Sequence, residues 1–323
     1  MNSFDLLILT ELEDFENNLD VALAADVQLV DDIARYMSKL KGKRLRPALA
    51  LLSAKAVGLE CKDDIIDAAV AVEMIHAATM VHDDVVDSAT MRRGCESINE
   101  KWSGQVAVLM GDFLLAKALS MLVEIGNLQA LAIVSKATQR LSVGEIFEIQ
   151  IGEQHDVRES SYLSMVNDKT ASLISASVCL GPIFSKADQL VIDSMKKYGE
   201  LLGAAFQIAD DILDFTGDSA TMGKPVGHDL REGKLTLPLI RALQRAPLVN
   251  RDRIRCLLRK SEKDEMEWQQ IVTFVEEFSG VAAAEVTARE YSAQALKCLQ
   301  VLPETPAREA LELAVELVVE RKS

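Results

Sequence analysis

His82-Asp83-Asp84-Val85-Val86-Asp87 places three carboxylates at the end of an apolar run, Ala69-Val70-Ala71-Val72-Glu73-Met74-Ile75-His76-Ala77-Ala78-Thr79-Met80-Val81. On a helix Asp83 and Asp87 are i,i+4 and Asp84 and Asp87 are i,i+3, so all three share one side. A face this negative is not buried unpaired; it needs cations. Asp210-Asp211-Ile212-Leu213-Asp214 repeats the spacing late in the chain. A single such motif is more often a solvated helix face. Here it occurs twice, it is preceded by apolar helix, and basic residues follow each copy. The expectation is that the two clusters face each other across a cavity and hold Mg²⁺, which favours hard oxygen ligands shared between one or two carboxylates and a substrate phosphate.

Working outward, 49% of the 323 residues are hydrophobic, enough for a large core, and only 7 Pro and 16 Gly interrupt them. Aromatics are 5% while Ala, Leu, Val and Ile abound, which favours an all-α chain. The net charge of −15 argues against a nucleic-acid surface, but local cations or metal ions can still invert it at a phosphate site. Five scattered cysteines without a CxxC pair read as reduced thiols of a cytoplasmic protein. The apolar run Leu6–Leu9 lacks a basic flank, so no signal peptide is expected. No uninterrupted apolar run reaches about 18 residues, so no membrane-spanning helix is expected.

Residues 5–25 and 26–40 read as amphipathic helices with Asp26 as N-cap between them. The basic loop Gly42-Lys43-Arg44-Leu45-Arg46-Pro47 feeds a helix that Gly58 ends. The next helix starts at Asp63 or Asp64 and carries the first cluster to about Ala89. Gln105–Ile125 is apolar almost all round and is expected to be central. Further helices are expected to Gln154, over Tyr162–Leu180 with Gly181-Pro182 as the stop, and over Ala187–Phe215 with the second cluster. Residues 217–234 form the longest irregular stretch, a length that usually marks function. Amphipathic helices close the chain. With no repeat or linker, one domain over 1–323 is expected, a bundle of about ten or more helices.

Lys43, Arg46, Arg92 and Arg93 sit near the aspartates and suit an anion site, the arginines offering bidentate contacts to oxygens. His76 alone reads best as a core histidine, and His82 as a neighbour that steadies the cluster. There is no zinc spacing, phosphate-binding Gly-Lys loop, dinucleotide fingerprint or serine elbow.

In this order, Gly42–Pro47, His82–Asp87 with Met91-Arg92-Arg93-Gly94, Gly111-Asp112-Phe113, Lys169-Thr170, Phe206–Asp214, Gly223-Lys224 and Gly233–Pro238 resemble the trans-isoprenyl diphosphate synthases over nearly the whole chain. The tail Leu299–Leu311 is most similar to bacterial octaprenyl diphosphate synthases. The resemblance implies one large bundle of the isoprenoid synthase type around a central cavity. It implies that Asp83, Asp84, Asp87, Asp210, Asp211 and Asp214 hold Mg²⁺ on an allylic diphosphate, which Arg92, Lys169, Lys224 and Lys234 also contact. It assigns Lys43, Arg46, His76 and Arg93 to the diphosphate of isopentenyl diphosphate, and turns polar oxygens of Thr170 and Gln207 toward the allylic cation. It also implies a homodimer that touches a membrane at most to release product.

The product is expected to grow away from the metals, meeting Thr79 and Ala78 first and Ile75 a turn deeper, with Met121 or Leu122 as the floor. Ala78 is small, so a long product is expected, between hexaprenyl and decaprenyl with octaprenyl in the middle, for quinone side chains. The alternatives are a geranylgeranyl or farnesyl diphosphate synthase, a terpene cyclase, which has no use for Lys43, Arg46 and Arg93, and a non-catalytic partner subunit, which would be expected to have lost a motif charge.

Overall fold

Helix-favouring residues recur at helical spacing along almost the whole chain, and the computed structural model is correspondingly all-α apart from one small hairpin. It describes residues 5–39, 42–61, 63–217, 226–260 and 262–319. After a 3₁₀ turn at Asp5–Ile8 come α1 (Leu9–Leu23), α2 (Gln28–Lys39), α3 (Leu45–Ala56) and α4 (Asp63–Val86). The hairpin β1 (Met91–Arg92) and β2 (Cys95–Glu96) leads to α5 (Ile98–Lys101), α6 (Gly104–Ile125), α7 (Leu128–Gln154) and α8 (Glu159–Val166). A π-helical turn, Asn167–Ala171, joins α8 to α9 (Ser172–Phe184), followed by α10 (Gln189–Thr216). The rest is α11 (His228–Arg231), α12 (Leu237–Arg245), α13 (Leu248–Leu258), α14 (Glu265–Glu277), α15 (Gly280–Cys298) and α16 (Pro306–Val319).

The described residues of 1–138, 173–199 and 298–314 form one compact unit, and those of 139–172, 200–297 and 315–323 form a second. In the first unit α4 packs along α6, and α4 is buried on nearly every face from Ile65 to Val81. By length and composition alone, α4 and α6 are both apolar enough to cross a membrane, contrary to the sequence expectation. They differ in burial: 67% of the most apolar window of α4 is covered, against 33% for α6. So α6 is not wholly central as expected. It buries Ala107, Leu114 and Ala118 but leaves Leu109 at 60% and Val123 at 63% exposure.

Gly181 lets α9 lie directly on α3: a Cβ there would come within 2.3 Å of the Ala54 backbone nitrogen. That packing also explains a second departure from expectation. Gly181-Pro182 does not stop the helix, which runs on to Phe184. Proline so near the C-terminus removes one backbone hydrogen bond, and the contact with α3 holds the last turn in place.

The second unit is built around Tyr162, Ile208, Leu237, Ile271 and Phe274, contributed by α8, α10, α12 and α14. Pro238 in the first turn of α12 and an Asp264–Glu267 capping box on α14 set two of its helix starts. Of the stretch 217–234, residues 218–225 lie outside the described residues, and α11 lies within the rest.

Candidate active site

Local backbone geometry arranges the first cluster. The helix proper ends at Val86, three residues before the expected Ala89, but the Asp87 amide still donates to the Asp83 carbonyl at 2.8 Å, preserving the i,i+4 relation. Asp84 is buried while Asp83 is half-exposed and Asp87 exposed. The chain then reverses through the hairpin, whose two central residues, Arg93 and Gly94, both have left-handed backbones with φ of 51° and 77°. Two-residue hairpins favour that conformation. The reversal returns Arg92 to Asp84, where Nε donates at 2.9 Å and Nη2 pairs with the same oxygen. Arg93 lies against Gly42: a Cβ on Gly42 would meet its guanidinium at 2.9 Å.

His76, Asp84, Arg92, Arg93, Arg44 and Glu73 line one cavity of about 90 Å³, with an apolar side formed by Leu19, Leu23 and Met74. Burial pushes the His76 pKa well below the usual imidazole range, and the charges of Arg46, Arg93, Arg92 and Arg44 push it the same way. The imidazole is therefore neutral, a hydrogen-bonding group among cations. Burial likewise lowers the Arg93 pKa, against the pull of Glu73. Arg44, which the sequence reading left without a role, donates to Glu16 at 2.8 Å and to Glu73 at 2.9 Å. It ties the basic loop to α1 and α4. His82 is occupied by packing: its Nε2 lies 3.1 Å from the Val108 carbonyl, and a Cβ on Gly111 would come within 2.1 Å of it.

In the second unit the π-helical turn carries Lys169 and Thr170. Such turns insert an extra residue and re-aim side chains. Gly144 of α7 and Gly203 of α10 make room for it, since a Cβ would approach the Lys169 nitrogen at 2.4 Å or the Ala171 Cα at 2.5 Å. Arg140 pins it through Asp168 at 2.6 Å and the Asn167 carbonyl at 3.1 Å. Lys169 bonds Glu145 and Glu148, both at 2.6 Å. Burial pulls its ammonium pKa down, but the two glutamates win and hold it above the ordinary lysine range. One α7 turn beyond Glu148, Gly152 meets the Gly233 carbonyl, where an added Cβ would lie at 3.1 Å. One side of α7 therefore serves both Lys169 and the turn before Lys234. Lys234 donates its ammonium to Glu232 at 2.9 Å. Lys224 lies outside the described residues.

The second aspartate cluster is divided by environment. Asp210 is half-exposed and Asp211 is 2% exposed. Asp214 accepts the amides of His228 at 3.0 Å and Asp229 at 3.3 Å, capping α11 from a distance. Burial pushes the Asp211 pKa well up; hydrogen bonds from Tyr162 and Gln207 pull it back, while the charges of Asp229 and Asp210 add to the rise. Asp229 is thus a fourth carboxylate of this cluster. The sequence reading missed it, and its only signal was its place in the suspect loop. Tyr162 and the glutamates of α7 were also missed, because no sequence spacing links them to the motifs.

The polyprenyl synthetase family model matches residues 27–275. The chain belongs to that family. It is 35% identical over 302 residues to octaprenyl diphosphate synthase of Escherichia coli (strain K12), covering 93% of this chain and 92% of that protein. It is 36% identical over 285 residues to a short chain isoprenyl diphosphate synthase of Methanothermobacter thermautotrophicus, covering 87% of each. Among solved structures, a polyprenyl synthase from Caulobacter crescentus CB15, complexed with calcium and isoprenyl diphosphate, superimposes with a TM-score of 0.93 at 31% identity, covering 99% of this chain and 97% of that one. The protein is therefore a prenyltransferase of a family that uses a divalent metal.

The donors fit such a metal. Among the described residues no three His, Cys, Asp or Glu side chains form a closed metal site. An ion that keeps its waters and completes its shell with substrate phosphate needs only one or two carboxylates at a time. Asp87 is exposed, and Asp83 and Asp210 are half-exposed.

The neutral His76 gives a pH signature. Its folded-state pKa lies below its unfolded value, so the unfolded chain takes up the extra proton. Stability therefore falls as pH drops below about 6.5, by at most about 1.4 kcal/mol per pH unit from this one group. Chemical denaturation of wild type and His76→Gln between pH 7.5 and 5 measures it. The slope is expected to be shallower in the variant; parallel slopes would mean that His76 is not held neutral.

Proposed function

We propose that the enzyme is a long-chain trans-polyprenyl diphosphate synthase. It condenses isopentenyl diphosphate head to tail onto a farnesyl or geranylgeranyl primer, and its product lies between hexaprenyl and decaprenyl diphosphate, with octaprenyl favoured, for quinone side chains. Residues 1–323 act as one synthase domain, and the family match extends over segments of both compact units. The observation that carries the long-chain reading is Ala78. It is small and 2% exposed, a little more than one turn before Asp83, with fully buried Ile75 a turn deeper. Neither lines the cavity of His76 and Arg92, which opens on another side of α4. On this reading the growing chain meets Thr79, whose hydroxyl donates to the His76 carbonyl at 2.9 Å, and its floor is half-buried Met121 or Leu122, 1% exposed.

The chemistry follows from the charges. Asp83, Asp84, Asp87 and Asp210, with Asp211 and Asp214 behind it, bring carboxylate charge to Mg²⁺, which supplies Lewis-acid stabilisation of the departing diphosphate. Arg92, Lys169, Lys224 and Lys234 add fixed positive charge around the same leaving group. For Arg92 and Lys169 this means exchanging Asp84 and the α7 glutamates for phosphate oxygens, so each cation is stored next to where it is used. Lys43, Arg46, Arg93 and neutral His76 hold isopentenyl diphosphate by its anionic end, so that its double bond attacks as the allylic carbon–oxygen bond breaks. Thr170 faces the allylic cation with its polar oxygen, and Gln207, whose carbonyl accepts the Thr170 hydroxyl, stands behind it. The proton lost as the new double bond forms leaves with the released diphosphate, so no side-chain base is required.

The exposed stripe of α6 has a partner in this account. Leu109, Leu119 and Val123 lie along one side of a helix whose other side is core, and a second copy of the chain covers them in a homodimer.

Incubating the enzyme with farnesyl diphosphate, isopentenyl diphosphate and Mg²⁺ and sizing the products by mass tests the assignment. A main product from hexaprenyl to decaprenyl is expected, and Ala78→Phe is expected to shorten it. A main geranylgeranyl product from wild type would overturn the long-chain reading, and failure to consume isopentenyl diphosphate would overturn the condensation itself. Light scattering tests the dimer: wild type is expected at twice the chain mass and Leu109→Lys/Val123→Lys at once. A monomeric wild type would contradict it.

A further inference from the structure

Within the second unit four side chains are joined in series. The Tyr162 hydroxyl donates to Asp211 Oδ2 at 2.6 Å. Gln207 Nε2 donates to Asp211 Oδ1 at 3.0 Å, and Thr170 Oγ1 donates to Gln207 Oε1 at 2.7 Å. Tyr162 is 1% exposed, Asp211 2% and Thr170 8%, while Gln207 is half-buried, so the Tyr162–Asp211 bond is the one shielded from water. Three elements contribute: α8, the π-helical turn and α10.

The chain has a direction. Gln207 presents its NH₂ group to Asp211. That leaves its carbonyl oxygen facing Thr170, and only a hydroxyl proton can meet it there. The Thr170 proton is thus consumed inside the fold, and what Thr170 offers outward is lone pairs. Beside a developing carbocation, lone pairs stabilise and a proton would not. Reversing the amide would reverse this, turning the threonine proton outward.

We propose that Tyr162 is a positioning residue for prenyl transfer: by anchoring Asp211 it fixes the orientation of Gln207, and through Gln207 the outward polarity of Thr170. Asp211 accordingly serves the reaction by orienting this chain, while Asp210, the half-exposed member of the pair, faces the metal side. The inference rests on the prenyl-transfer reading above. It adds a residue with no contact to substrate and no place in any sequence motif.

A double-mutant cycle tests it. Tyr162→Phe keeps the ring and its packing and deletes only the hydroxyl. Thr170→Val keeps the shape of threonine and removes the polar end of the chain. Losing a hydrogen bond to the buried Asp211 is expected to lower kcat about ten- to a hundredfold in Tyr162→Phe. The KM for isopentenyl diphosphate should stay unchanged, as should the dissociation constant of an unreactive thio-analogue of farnesyl diphosphate. In the Thr170→Val background the same tyrosine substitution is expected to cost almost nothing further, because the chain has already lost its outlet. A merely structural tyrosine would lower the thermal midpoint and cost the same factor in both backgrounds. Additive losses, or an unchanged kcat in Tyr162→Phe, would overturn the proposal. Should Tyr162→Phe not fold, Asp211→Asn carries the test: its amide can face Gln207 either way, so the same coupling to Thr170→Val is expected and additivity again contradicts. Wild-type enzyme that does not elongate farnesyl diphosphate would instead overturn the functional reading, so the two failures are separable.

Discussion

The structure depends on carboxylates held inside an apolar helical framework. Asp84, Asp211 and Asp214 are all buried, and an isolated buried carboxylate is strongly unfavourable. Each is offset by a different donor: the guanidinium of Arg92 for Asp84, a phenol and an amide for Asp211, and two backbone amides for Asp214. The neighbours Asp83, Asp87 and Asp210 are left nearer to solvent. Each cluster therefore has buried members bonded into the fold and outer members facing water.

Cations follow the same logic. Arg92 rests on Asp84 and Lys169 rests between Glu145 and Glu148. Their charges are held against protein carboxylates in a chain of net charge −15. His76 contributes by remaining uncharged. Surrounded by Arg44, Arg46, Arg92 and Arg93, it adds hydrogen bonding without a further positive charge. A diphosphate, carrying its own negative charge, is the kind of ligand that can draw these cations away from their carboxylates.

Much of this was legible in the sequence, for a physical reason. Helix periodicity is local, so α7 ends at Gln154 as expected and α10 falls within two residues of its expected bounds. Both aspartate motifs fall on helices, α4 and α10, as their spacing implies. What the sequence did not disclose is tertiary. Pro182 sits inside a helix because α3 supports its last turn, and α6 exposes an apolar face that composition alone would bury. The π-helical turn at Asn167–Ala171 has no composition signature; it is made by Gly144, Gly203 and Arg140 from elsewhere in the chain. Asp229 and Tyr162 belong to the site through contacts with Asp214 and Asp211, at sequence separations of 15 and 49 residues, beyond any local pattern.

On the proposed function, these carboxylates bind diphosphate only when metal inverts their charge. The most direct measurement is calorimetric titration of the enzyme with an unreactive thio-analogue of farnesyl diphosphate, in Mg²⁺ and again in EDTA, for wild type, Asp83→Asn and Asp210→Asn. Strong binding in Mg²⁺, lost in EDTA and weakened by either substitution, is the predicted result. Equal affinity with and without metal, or affinity indifferent to both aspartates, would contradict it.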